Sequence, residues 1–170
     1  QELDEVIIRF AGDSGDGMQL TGDQFTSISA ALGNDLATLP EFPAEIRAPQ
    51  GTLAGVSAFQ VRISDFAITT PGDAPTVLVV MNPAALKAQL HNLVQGGSII
   101  INSDAFTERN LEKAGYESNP LEDGSLDGYR SYPVAMSQIT RDAVAVHGVK
   151  PRDAERSKNF FALGPISWMY

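Results

Sequence analysis

The stretch AGDSGDGMQL, Ala11 to Leu20, carries the strongest chemical signal in the chain. It follows EVIIRF, which is apolar like a buried strand, and leads into LTGDQFTSISAALG, which is patterned like a helix. Gly12, Gly15 and Gly17 crowd this junction. In an open α/β sheet, ligands bind beyond the carboxyl ends of the strands. A glycine turn there brings backbone N–H groups close to the ligand, and the following helix adds its positive N-terminal dipole. Ala11 to Gly17 is therefore placed to take a phosphate or pyrophosphate. The glycines fit G-x-x-G-x-G; the dinucleotide fingerprint G-x-G-x-x-G needs glycine where Ser14 stands. That fingerprint also expects an acid about 20 residues on. Glu41 lies roughly there, in a proline-rich segment of different character. No Gly-Lys-Ser/Thr follows, which excludes a Walker-type phosphate loop. Asp13 and Asp16 would repel a phosphate they faced, so they are expected to face away or to cap the turn and helix. A purely structural turn stays open as the alternative.

Other residues carry weaker signals. Arg47, in the stiff loop PAEIRAPQGT, suits a carboxylate or phosphate clamp, or a salt bridge to Glu45 or Glu41. Gln50, Gly51 and Thr52 beside it add donors. Asn82 ends an apolar strand, where it suits a ligand contact or, before Pro83, a helix N-cap. Ser103 and Asp104 suit a cap or turn, and His91 and His147 stand alone, without metal-ligand partners at sensible spacing. No carboxylate pair or Ser-His-acid set is evident. G-D-S-G is not the nucleophile elbow, since Asp16 occupies its last glycine position. No catalytic residue and no metal ligand is assigned.

These residues need elements to hold them. Strands are predicted at Val6–Phe10, Leu36–Leu39, Gly55–Ile63, Thr76–Met81, Ser98–Asn102 and Tyr129–Val134. Helices are predicted at Met18–Leu32, with Phe25, Ile28 and Leu32 at helical spacing, and from Pro83 to about Val94, with Leu86, Leu90 and Leu93 on one face. Shorter ones are predicted at Phe106–Ala114, Ala135–Val146 and from Ser157 on. Pro40, Pro43 and Pro49 mark EFPAEIRAPQG as an irregular loop. Alternating strands and helices, several strands apolar throughout, imply a largely parallel sheet covered on both faces. GVSAFQVRI follows the second strand without a clear helix between, so one antiparallel member is expected.

With 170 residues and 43% apolar content, the chain suits one globular domain. A net charge of −9 argues against a nucleic-acid surface. With no cysteine, the chain itself offers no thiolate zinc site and no cysteine-ligated iron–sulfur cluster. No run approaches the roughly 20 apolar residues that span a bilayer. No secretory signal pattern is seen, so a cytoplasmic location is expected. Phe160, Phe161, Leu163, Ile166, Trp168, Met169 and Tyr170 crowd the end of the chain, which suits a docked last helix, a polypeptide that continues, or both.

The order of GDSGDGMQLTGDQF, LPEFPAEIRAPQGTLAGVSAFQVR, VLVVMNPAAL, GGSIIIN and KNFFALGPISW closely resembles the gamma-type domain of the 2-oxoacid:ferredoxin oxidoreductases. More narrowly, it resembles the N-terminal region of the alpha subunit of the 2-oxoglutarate enzymes. The resemblance implies a Rossmann-like three-layer α/β/α fold with a mostly parallel, mixed sheet. It implies that residues 1–170 form a single domain, a fragment of a longer alpha subunit. The complete enzymes decarboxylate a 2-oxoacid on thiamine diphosphate, pass electrons through iron–sulfur clusters to ferredoxin, and give the acyl group to coenzyme A. Thiamine diphosphate, magnesium and the clusters are then expected in partner domains and the beta subunit. Coenzyme A is expected at this domain, which would orient it toward the thiamine-bound acyl group. The implied coenzyme-facing residues are Gly12, Asp13, Ser14, Gly15, Asp16, Gly17, Arg47 and Asn82. Many members carry G-x-G-G-x-G at the turn, which Asp13, Ser14 and Asp16 vary here. The alternatives are an NAD- or FAD-binding oxidoreductase domain and a non-catalytic scaffold. The isolated chain is expected to be inactive.

Overall fold

The computed structural model describes residues 4–42 and 55–169. Pro43, Glu45, Arg47, Pro49, Gln50, Gly51, Thr52 and Tyr170 lie outside the described residues. The strands are β1 (Glu5–Asp13), β2 (Asp35–Glu41), β3 (Val56–Ser64), β4 (Val77–Val80), β5 (Ser98–Asn102) and β6 (Arg130–Val134). They make one six-stranded sheet of order β2-β3-β1-β4-β5-β6. β1, β4, β5 and β6 pair in parallel, and β3 runs antiparallel to both β1 and β2. The single reversed strand is the one the sequence implied. β4 and β5 are buried at every residue, as uniformly apolar strands covered on both faces must be.

The helices are α1 (Met18–Ala31), α2 (Pro83–Gln89), α3 (Glu108–Lys113), α4 (Met136–Ala145), α5 (Pro151–Arg156) and α6 (Lys158–Met169). One core layer joins Ile8, Phe10 and Val79 of the sheet to Met18 and Phe25 of α1, Met136, Leu163 and Ile166. The other joins Leu78, Val80, Ile99 and Ile101 to Ala85, Leu86, Leu93 and Leu111. The connection after β1 therefore packs on one face and the connection after β4 on the other. That change of face opens a crevice at the carboxyl ends of these neighbouring strands.

Several boundaries differ from those predicted. β1 continues through Ala11, Gly12 and Asp13, which pair with Ala58, Ser57 and Val56. The true turn is thus shorter and starts at Ser14. β2 continues through Pro40 to Glu41, where a loop was expected. An edge strand tolerates proline because its outward N–H needs no partner. The helix from Pro83 closes in a 3₁₀ turn at Leu90–Asn92. α5 was not anticipated; its signal was Pro151 at the first helical position.

The apolar stripe expected on α1 is also different. Ile28 and Leu32 are exposed, and the buried positions are Met18, Thr21, Gly22, Phe25 and Ser29. Small residues let α1 lie close against β3. A Cβ on Gly22 would sit 2.1 Å from the Phe59 ring. Gly22→Ala should therefore destabilise the fold by about 1–3 kcal/mol, although alanine is the better helix former. Urea unfolding measures this, and an unchanged or raised midpoint would refute the close approach.

Candidate functional site

The turn after β1 is organised by one carboxylate. Asp16 donates its backbone N–H to the Asp13 carbonyl at 2.9 Å. The Asp16 side chain accepts in return from the Asp13 N–H at 2.9 Å. It also accepts from Asn82 Nδ2 at 3.3 Å and pairs with Lys158 Nζ at 3.2 Å. Both ends of that pair are largely covered, at 16% and 15% side-chain exposure, which shields it from the screening that weakens surface pairs. Asp16 does not cap α1; the N-cap is Gly17, in left-handed conformation at φ 74° with no side-chain cap. The first-turn N–H groups of α1 thus have neither an intrahelical acceptor nor a capping side chain.

The three glycines have distinct reasons. A Cβ on Gly12 would meet Asp16 Oδ2 at 2.9 Å. On Gly17 it would meet Asn159 Nδ2 at 2.6 Å. On Gly15 it would meet nothing within 4 Å, so Gly15 faces open space. Ser14 and Gly15 are exposed at the tip of the turn.

Of the two roles offered for Asn82, the structure shows the helix N-cap. Its Oδ1 accepts from the Ala85 N–H at 2.8 Å, capping α2, and its Nδ2 donates to Asp13 Oδ1 at 2.9 Å. Burial, and then the neighbouring Asp16 carboxylate, raise the Asp13 carboxyl above its ordinary 3.8, and the Asn82 hydrogen bond opposes them. Asp104 caps α4 by accepting from the Gln138 N–H at 2.9 Å. His91 and His147 are exposed. Among the described residues, no group of three or more His, Cys, Asp or Glu could hold a metal.

Three features were not anticipated. Arg9 lies buried in β1, donates to Gln60 Oε1 at 3.0 Å and pairs with Glu41. Gln89 also reaches Glu41, at 3.4 Å. Glu41, the nearest approach to a ribose-binding acid, is thereby engaged inside the protein. Gln19 of α1 donates to Ser57 Oγ at 3.0 Å and to the Ala58 carbonyl at 2.9 Å, fixing α1 to β3. Lastly, Arg152, Arg156 and Lys158 close around Gly15 and Asp16 to line an open pocket of about 300 Å³. The readable signal was a basic pair four residues apart just before KNFFALG.

Neutral donors at the turn, a helix N-terminus and adjoining cations together suit an anionic ligand. No described helix is long and apolar enough to cross a membrane. Asp13 and Asp16 should respond oppositely to substitution. Asp16→Ala leaves three donors without their acceptor and should cost about 1–3 kcal/mol. Asp13→Asn keeps the acceptor and should stabilise at neutral pH. The folded state holds the Asp13 proton more tightly than the unfolded chain, so stability falls as pH rises above 3.8 through the raised folded value. The gain from Asp13→Asn should shrink as pH falls through that range, as denaturant unfolding at pH 7 and pH 3 would measure.

Residues 7–170 match the family model described as pyruvate ferredoxin/flavodoxin oxidoreductase. The chain is 61% identical over 170 residues to 2-oxoglutarate oxidoreductase subunit KorA of Mycobacterium tuberculosis, covering 100% of this chain and 26% of that protein. It thus spans about a quarter of the length of this curated relative. A 2-oxoglutarate:ferredoxin oxidoreductase of Magnetococcus marinus, solved with 2-oxoglutarate, coenzyme A and succinyl-CoA bound, superposes with a TM-score of 0.72. That match has 28% identity and covers 98% of this chain and 24% of the other. The gamma subunit of a keto/oxoacid ferredoxin oxidoreductase from Geobacter sulfurreducens shares the fold, with a TM-score of 0.63 at 20% identity over 95% of this chain and 75% of that one.

Proposed function

Since the chain belongs to the pyruvate ferredoxin/flavodoxin oxidoreductase family, we propose that it is the gamma-type domain of a cytoplasmic 2-oxoglutarate:ferredoxin oxidoreductase and binds coenzyme A for it. The substrate assignment follows the 61% identity to the KorA subunit. The coenzyme assignment follows the Magnetococcus enzyme, which is 28% identical and was solved with coenzyme A bound. The observation that carries it is the turn at the carboxyl end of β1, with Gly15 facing open space beside the start of α1.

In this reading the backbone N–H groups of Ser14 and Gly15 and the first turn of α1 take the coenzyme's pyrophosphate. Gly12, Asp13, Asp16, Gly17 and Asn82 shape the turn, and Arg47 faces the same ligand or a neighbouring domain. Asp16 accepts from the Asp13 N–H and pairs with Lys158, so its charge is neutralised where a phosphate must approach. The domain's contribution to the reaction is orientation. Holding the coenzyme thiol near the acyl group made elsewhere in the enzyme removes entropy from the transfer step in advance. Thiamine diphosphate supplies the decarboxylation chemistry when bound in the partner domains; with its magnesium and the iron–sulfur cluster, it belongs to the thiamine-binding domains of the alpha subunit and to the beta subunit. Ferredoxin takes the electrons.

The test is calorimetric titration of the complete enzyme with coenzyme A, with NAD in parallel. A Cβ at Gly15 meets no protein atom within 4 Å, so Gly15→Val obstructs a ligand without crowding the fold. Coenzyme affinity should fall at least about tenfold in this variant, with stability within about 0.5 kcal/mol of the parent. Saturable NAD binding abolished by Gly15→Val, with no response to coenzyme A, would replace this reading with a dinucleotide site.

A further inference from the structure

Where the chain as a whole carries a net charge of −9, the last two helices carry Arg152, Arg156 and Lys158 alongside the acids Asp153 and Glu155. Arg152 and Arg156 stand four residues apart on α5 and so share one face of it. Lys158 opens α6, and the three line one pocket with Gly15 and Asp16. Lys158 is paired with Asp16, but no described carboxylate pairs with Arg152 or Arg156. Two guanidinium groups at this spacing repel, and a bound anion removes that cost. Their planar forks suit the terminal oxygens of a phosphate. A larger hollow of about 570 Å³ is lined by Glu108, Glu112, Glu117 and Glu122, and its charge excludes the same ligand.

We propose that Arg152 and Arg156, beside the Lys158–Asp16 pair, form the subsite for the ribose 3′-phosphate of coenzyme A. The inference rests on the coenzyme reading above and divides the ligand's two anionic groups between two kinds of donor. The pyrophosphate is a diester with one charge per phosphorus, which neutral N–H groups and a helix N-terminus accommodate. The 3′-phosphate is a monoester with about −1.5 to −2 charge at neutral pH and three terminal oxygens, which calls for full cations. The pocket adjoins the turn through Gly15 itself, so one ligand spans both.

Coenzyme A and 3′-dephospho-coenzyme A differ only in this phosphate. In the complete enzyme, titration should give coenzyme A the tighter binding by about 10- to 100-fold. The Arg152→Gln/Arg156→Gln pair should erase that preference and leave the dephospho form within about twofold. Arg152→Lys/Arg156→Lys should retain part of it. Equal affinity of the unaltered enzyme for both ligands would overturn the subsite without any variant being needed. So would a loss of the same size for both ligands in the Gln pair. If Gly15→Val weakens both ligands and the arginine variants weaken neither, the subsite falls while the coenzyme reading stands. If neither ligand binds the unaltered enzyme, both fall.

Discussion

The site depends on the carboxylate of Asp16. It closes the turn by accepting from the Asp13 N–H, reaches Asn82 at the head of α2, and pairs with Lys158 at the start of α6. Three segments far apart in the chain are fixed relative to one another through these contacts. An acid of this kind suits a phosphate-facing turn because it points inward and is offset by Lys158. Its partners use its oxygens, and the outer side of the turn is left to backbone N–H groups.

The glycines follow from the same constraint. Gly12 leaves room for the Asp16 carboxylate and Gly17 leaves room for Asn159, each at a separation where a Cβ would collide. KNFFALG therefore docks on GDSGDG directly: Lys158 reaches the carboxylate and Asn159 packs on the glycine beside it. Away from the turn, Arg9 does comparable work between strands. Buried in β1, it reaches Gln60 of β3 and Glu41 of β2, and so orders the reversed strand and the edge strand together. Arg9 is covered while Glu41 is 46% exposed, so desolvation of the arginine offsets much of the attraction; the pair's value is in fixing which groups meet.

The proposed function assigns this domain a positioning task. Neutral donors at the turn and cations on the last helices meet at Gly15, the one glycine of the turn whose missing side chain leaves open space. In that proposal the acyl chemistry and electron transfer belong to other domains and subunits, so the geometry asked of this domain is that of a clamp. The family match over residues 7–170 and the 61% identity to a 2-oxoglutarate oxidoreductase subunit support that assignment.

Much of the architecture was legible in the sequence. The apolar runs VLVVM and III implied a sheet covered on both faces, and the missing helix before GVSAFQVRI implied a reversed strand. Glycine spacing located the turn, because close backbone approach leaves a mark in residue type. The helical period misplaced the buried face of α1: Ile28 and Leu32 are apolar, yet only packing decides that Gly22 and Ser29 lie against the sheet. The extension of β2 through Pro40 depended on its being an edge strand, which is a property of the whole sheet. Nothing local to Asp16 says that its partners are Asn82 and Lys158, and nothing local to Arg152 or Arg156 says that they line a pocket with Gly15. Residue types set the local periods, turns and available charges. Which charges meet was decided by the long-range packing of α5 and α6 onto the end of β1, contacts between segments that carry no trace of one another in sequence.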